Sequence, residues 1–301
     1  MASRPPSARA ASSRTQKTKQ LSSGARRVVG KRSSSSPGWG RWALGAWLLL
    51  ALWLGVEYAR LPDVSTLRTQ NPRTTALMAQ RADEALDAGR KPRVRQAWVS
   101  LSAVAPHAVD AVLISEDARF YRHEGVDWTE VENAFQQSVR EARLGRGAST
   151  LTQQLAKNLY LSTDRSLLRK GKELLLARRL EADLSKQRIL ALYMNVVEWG
   201  EGVYGIEAAA REHFGVPARA LSVAQGAMLA AMLPAPRRWL PAVRPEALRT
   251  RAGVIVGRLE REGRISGTQA REAQAELARF FGAPTAPGLV AEAQAPLPAG
   301  S

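Results

Sequence analysis

The 301-residue sequence has no cysteine. Disulfides, thiolate zinc sites and a cysteine nucleophile are therefore excluded. Histidine is nearly as scarce: only His107, His123 and His213 occur, and none stands in the His-Glu-x-x-His pairing that builds a zinc centre. Asp-x-Asp, Walker and dinucleotide-binding glycine signatures are missing, which removes the usual handles for nucleotide-sugar, ATP and nicotinamide chemistry. Alternating apolar and polar stretches, the mark of strands, are almost absent. Negative charge is missing at the start of the chain, where residues 1–41 hold ten Lys or Arg and no Asp or Glu. The remaining 34 basic residues face 27 acidic ones, so most of the formal net charge of +17 is local to the N-terminus.

Residues 1–38, rich in Ser, Arg, Ala and Lys, have too little apolar surface to order themselves and are expected to form a disordered basic tail. They run into Trp39–Tyr58, whose uncharged centre, Trp42–Val56, is 15 residues long. A spanning helix needs roughly 20 residues, but Arg41 and Glu57 can snorkel, and Trp39, Trp42 and Tyr58 suit the two interfaces. The composition predicts a single transmembrane helix over 39–58. A cleaved signal peptide is the alternative; the long basic leader and the lack of a small-x-small site after Tyr58 weigh against it. The basic flank assigns the tail to the cytoplasm and residues beyond 60 to the other side.

Residues 60–265 read as one mainly α domain. Pro62, Pro72 and Pro92 break its first part into short pieces. Beyond Ala105, Ala108, Val109, Val112 and Leu113 form an apolar stripe. Leu167–Asn195 reads as one long amphipathic run, and Leu221–Leu233 as a small-residue helix closed by Pro234 and Pro236. Residues 283–301 read as a disordered Ala/Pro-rich tail.

Three constellations carry chemistry. The first begins at Glu116-Asp117, directly after Leu113-Ile114-Ser115. A solvated helix end would look similar, but a carboxyl against an apolar wall holds its proton more tightly, as a general base near neutral pH requires. The second runs from Gly147 to Asn158. Gly147 is a flexible entry, Ser149 a candidate N-cap, and Thr150, Gln154 and Lys157 share one stripe. Such a terminus with free amides and a nearby lysine suits a pyrophosphate, although a polar outer face has the same pattern. The third is Arg169-Lys170-Gly171-Lys172-Glu173, where Arg169 and Glu173 stand at i, i+4; the pair reads either as a surface ion pair or as a phosphate-binding cation beside a second carboxylate.

These motifs resemble the peptidoglycan glycosyltransferases of glycosyltransferase family 51, in their monofunctional biosynthetic form. The pattern E-D-x-x-F-x-x-H-x-G is met by Glu116, Asp117, Phe120, His123 and Gly125. Gly147 to Asn158 matches G-x-S-T-x-T-Q-Q-x-x-K-N, and Arg169, Lys170 and Glu173 match R-K-x-x-E. A later block matches at Ser185-Lys186, Ile189-Leu190, Tyr193, Asn195, Gly202, Gly205, Ala208 and Ala209. Met194 and Gln225 depart from the usual Leu and acidic residue. No Ser is followed three residues later by Lys, so the serine motif of a transpeptidase is missing.

The resemblance implies a mainly α, lysozyme-like lobe with a small membrane-associated jaw. It implies polymerisation of lipid II into β-1,4 glycan strands by inverting transfer, with release of undecaprenyl pyrophosphate; a lytic peptidoglycan-cleaving enzyme of lysozyme-like fold is the alternative. Glu116 and Glu173 are the expected catalytic residues. Asp117, Phe120, His123, Ser149, Thr150, Gln153, Gln154, Lys157, Asn158, Arg169 and Lys170 are the expected substrate-binding set. No resident metal or cofactor is required, while a divalent ion (magnesium or manganese) at the pyrophosphate is compatible. The expected partners are lipid II, the growing glycan chain, a bacterial inner membrane and other cell-wall synthesis proteins, with no nucleic acid; the catalytic domain is expected in the periplasm.

Overall fold

The computed structural model describes residues 39–141, 149–161, 163, 166–239 and 245–282. The basic tail 1–38, the entry residue Gly147 and the tail 283–301 lie outside the described residues. Eleven α-helices occur among the described residues: α1 (Trp39–Ala59), α2 (Ala76–Asp87), α3 (Pro106–Glu116), α4 (Trp128–Glu141), α5 (Leu151–Tyr160), α6 (Leu167–Asp183), α7 (Lys186–Val196), α8 (Ile206–Phe214), α9 (Val223–Met232), α10 (Pro245–Arg261) and α11 (Gly267–Phe281). The expected mainly α class is borne out. Three very short strands join it: β1 (Arg95–Gln96), β2 (Glu198–Gly200) and β3 (Val203–Tyr204), in the order β1-β3-β2. β3 runs parallel to β1 and antiparallel to β2. Strands of two or three residues are too short to carry a period-two pattern, which is why the sequence does not announce them.

The described residues divide into two units, parted within α1 after Ala51. In the first, the apolar side chains of α1 stand exposed, Trp42, Trp47 and Leu49 among them. Arg41–Ala59 is the one helix among the described residues long and apolar enough to cross a bilayer.

In the second unit, α9 lies at the centre. Gly226 through Met232 are all buried, so this helix has no solvent face and is apolar all round. α3, α10 and α11 pack against it. At the crossing with α3, a Cβ on Gly226 would sit 2.9 Å from both Cα and Cβ of Ala108, so glycine is needed for the approach. Ser222 caps α9 reciprocally with Gln225, one of the two residues that departs from the family pattern. Such a cap contributes about 1 kcal/mol, and an acidic residue would fill the same role. The core continues beyond residue 265, through Ala270, Ala273 and Leu277 on the inner face of α11.

The run Leu167–Asn195, expected to be continuous, is two helices. α6 ends at Asp183, Leu184 turns extended, and the Ser185 hydroxyl accepts the Arg188 amide at 3.2 Å to start α7. A serine offering its oxygen to the backbone competes with helix continuation, and the apolar periodicity conceals the break.

Candidate active site

Glu116 is the last residue of α3, backed by buried Leu113 and Ile114. Its partners are neutral: Gln154 Nε2 donates to Oε2 at 2.9 Å and the Ser115 hydroxyl to Oε1 at 3.2 Å. Gln154 is itself fixed by Tyr193, whose buried hydroxyl donates to the other end of the amide at 3.0 Å. Burial raises the Glu116 carboxyl above the ordinary glutamate range, opposed by the Gln154 hydrogen bond and by the charges of Arg251 and Lys157. A cleft of about 170 Å³ opens over this carboxyl, lined also by Arg119, Glu130, Ser149 and Arg258.

Asp117, beside the base, points inward. Its carboxylate accepts the Leu151 amide at 2.9 Å and His123 Nε2 at 3.0 Å. Gly125, at φ +86°, presents its carbonyl to two donors, the Thr150 hydroxyl at 2.7 Å and Gln153 Nε2 at 3.0 Å. A Cβ at Gly125 would press on the Ala177 carbonyl at 3.3 Å. Thr150, not Ser149, caps α5, accepting the Gln153 amide at 3.2 Å. The expectation of free amides at this terminus is corrected accordingly: those of Leu151 and Gln153 are already taken, because the motif residues satisfy one another. These bonds clasp the start of α5 to the end of α3, and Phe120, 1% exposed, packs beneath them with Lys186 Nζ 4.4 Å above its ring.

Glu173 occupies a different setting. It is 3% exposed, and both of its oxygens face cations: Arg169 Nη1 at 2.8 Å and Lys170 Nζ at 2.5 Å. Lys170 also donates to the Ser149 hydroxyl at 2.9 Å and to Gln153 Oε1 at 3.0 Å, which ties α6 to α5. Lys157 lies within electrostatic reach of both carboxylates but makes an ion pair with neither among the described residues. Burial lowers its ammonium below the ordinary lysine range; Glu173 opposes that shift and Arg169 adds to it. The site therefore has one carboxylate hydrogen-bonded by neutral groups under the charges of Arg251 and Lys157, and another held directly by two cations.

Glu173 faces cations through both oxygens. In the grouping of Asp117, His123 and Asp127, the two carboxylates accept N–H donors and Arg119 lies 3.3 Å from Asp127, while His123 Nδ1 and Asp127 Oδ2 have no hydrogen-bond partner among the described residues. Of the expected residues, Glu116, Asp117, Ser149 and Thr150 line the cleft; Gln154 bonds to Glu116, and Lys170 joins Ser149 to Glu173, which Arg169 also holds. His123 bonds to Asp117, Phe120 and Gln153 are buried, and Asn158, directly after Lys157, is buried too. Sequence reasoning missed Arg119, Glu130, Arg251 and Arg258 as neighbours of the base. Arg251 and Arg258 stand seven residues apart on α10, two turns of one face, and that spacing was the available signal.

A family model described as Transglycosylase matches residues 83–260. A biosynthetic peptidoglycan transglycosylase of Azoarcus sp. (strain BH72) is 42% identical over 220 residues, covering 73% of this chain and 94% of the relative. One from Rhodospirillum centenum is 46% identical over 212 residues (70% and 85%), and one from Nitrosomonas eutropha is 40% identical over 212 residues (70% and 87%).

Proposed function

The chain belongs to the transglycosylase family, and from that premise we propose that it polymerises lipid II into β-1,4 glycan strands on the outer face of a bacterial inner membrane. The observation that carries this reading is the contrast between the two buried glutamates. Glu116, with neutral partners and a raised proton affinity, takes the proton of the acceptor sugar 4-hydroxyl as that oxygen attacks the anomeric carbon of the lipid-linked sugar. Lys157, Arg169 and Lys170 take up charge on the departing pyrophosphate. An α-linked donor giving a β product inverts in one displacement and needs no glycosyl-enzyme intermediate. Glu173 holds the cations in place. Hydrolytic cleavage of finished glycan has no use for such a cation group, so the lytic alternative is disfavoured.

Incubation of the detergent-solubilised protein with lipid II should give lysozyme-digestible glycan strands and free undecaprenyl pyrophosphate. Shortening of preformed glycan without consumption of lipid II would instead identify a cleaving enzyme.

The membrane side of the proposal rests on α1 and on an apolar face of α4. There Trp128, Val131 and Phe135, at i, i+3 and i+7, are exposed beside a markedly polar opposite face. Leu167, 94% exposed, opens α6 in the same manner. These surfaces suit a jaw resting in the bilayer next to its lipid-borne substrate. The ten basic residues ahead of the uncharged centre Trp42–Val56 orient it, so alkaline phosphatase fused after Ser301 should be active; a stable but inactive fusion overturns the orientation.

A further inference from the structure

A cavity of about 240 Å³ lies among α2, the β1 segment, the β2–β3 turn and the segment after α9; Gly202 is the one motif residue that lines it, and none of the expected catalytic or substrate-binding residues does. That volume is below the roughly 300–1,000 Å³ of pockets for drug-sized ligands, so it suits a smaller group. Its depth and its mouth differ in charge. In the interior is Glu198, with a side chain 4% exposed; Oε2 accepts from Arg81 Nε at 3.1 Å, while Oε1 has no hydrogen-bond partner among the described residues. A buried carboxylate oxygen without a partner is unfavourable and calls for a donor. At the mouth stand Arg90, Lys91 and Arg93, all exposed. Arg90 pairs with Glu201 and Arg93 with Glu212, but Lys91 has no ion pair among the described residues. The segment carrying them is fixed by β1 pairing and by the Arg95 amide, which donates to the Gly202 carbonyl at 2.7 Å.

Arg81, Arg90, Arg93 and Arg237 are each paired with a glutamate, which leaves Lys91 as the lining cation without an ion pair and Glu198 Oε1 as the carboxylate oxygen without a donor among the described residues. A molecule with an amine at one end and a carboxylate at the other satisfies both regions. We propose that this cavity binds a small ligand carrying both an ammonium and a carboxylate, the ammonium against Glu198 Oε1 and the carboxylate against Lys91 and its neighbours. That chemistry has two sources: a free amino acid, or the peptide borne by the sugar substrate. The second source rests on the function proposed above; the first does not.

The test uses the full-length protein in detergent, titrated with D-alanine, N-acetyl-D-alanine (no ammonium) and D-alaninamide (no carboxylate) and followed by NMR. D-alanine should bind, and each capped form should bind about tenfold more weakly, the loss of one charge-assisted hydrogen bond. Glu198→Gln should abolish discrimination against the N-acetyl form, and Lys91→Ala discrimination against the amide. Lys91 is exposed, so its variant folds even where Glu198→Gln does not. Polymerisation then separates the sources. If the peptide is the occupant, both variants raise KM several-fold for peptide-bearing lipid II, with kcat unchanged, and leave KM unaltered for the peptide-free lipid-linked disaccharide. If a free amino acid is the occupant, both substrates keep their KM in both variants, while the parental protein still selects D-alanine and the variants lose that selectivity. A parental protein that binds D-alanine selectively but polymerises nothing refutes the function above and leaves this site standing. Equal or undetectable binding of the three compounds, with no change in either KM, overturns the proposal.

Discussion

Glu116 and Glu173 are the same residue type, both inside the protein and both within electrostatic reach of Lys157, yet they occupy opposite environments. Around Glu116 the hydrogen bonds come from an amide and a hydroxyl against an apolar wall, with the charges of Arg251 and Lys157 acting on it besides. Around Glu173 they are a guanidinium and an ammonium. The first setting keeps the carboxyl ready to exchange a proton; the second makes it an anchor for charge. The comparison teaches that a catalytic assignment follows from what surrounds a carboxylate, since the motif lettering alone marks both equally.

The largest effect that would test this contrast is at the base. Glu116→Gln should lower the rate of lipid II polymerisation by about 10²–10⁴, the usual value of general base catalysis, measured as glycan formed per enzyme under saturation. The same substitution should stabilise the fold. The folded state favours the protonated carboxyl, so its contribution is complete below the unfolded-state value and is lost as pH rises through the folded-state one. Glu116→Gln and the parent should therefore melt alike near pH 4, and the variant should melt higher near pH 8. A parental rate, or no stability gain at alkaline pH, would remove Glu116 from its role.

At the cationic end the expected order reverses. Glu173→Gln leaves Arg169 and Lys170 side by side without their counter-charge and should destabilise the protein by about 1–3 kcal/mol, less than for a fully buried pair because both cations reach solvent. Arg169→Lys should keep the fold and lose turnover, since an ammonium does not reproduce the guanidinium fork. Near-normal turnover by Arg169→Lys would reduce this cluster to a structural ion pair.

The smallest effect sharpens the contrast most. The acid limb of the kcat/KM profile should lie above the ordinary glutamate range, and Gln154→Leu should move it to higher pH, because the lost hydrogen bond is one that favours the charged carboxylate. An acid limb that stays in place in this variant would show that another group titrates.

Much of this arrangement is legible in the sequence. The apolar pair Leu113-Ile114 just ahead of Glu116 foretells its raised proton affinity, and the i, i+4 spacing foretells the Arg169–Glu173 pair. The role of Asp117 is not legible, because whether a carboxylate faces solvent or an amide 34 residues away depends on how two helices meet. The same holds for Thr150 and Gln153, whose polarity suggests a ligand and whose partners turn out to be Gly125 and each other. Local spacing cannot tell a polar side chain that waits for substrate from one that closes the fold. Arg251 stayed hidden for a related reason: it reaches Glu116 from α10, 135 positions along the chain.

The close approach of Gly226 to Ala108 also sets a mechanical tolerance for the reaction. α3 carries the base on its final residue, eight positions from that contact, so the helix acts as a short rigid lever with its fulcrum against α9. One added methyl at the fulcrum has no soft neighbour to displace, since Ala108 offers only backbone and Cβ, and the displacement passes along the lever to the carboxylate. Placement within about half an ångström is what a preorganised site demands. The accuracy of the chemistry at Glu116 is therefore held in part by a hydrogen atom where every other amino acid has carbon.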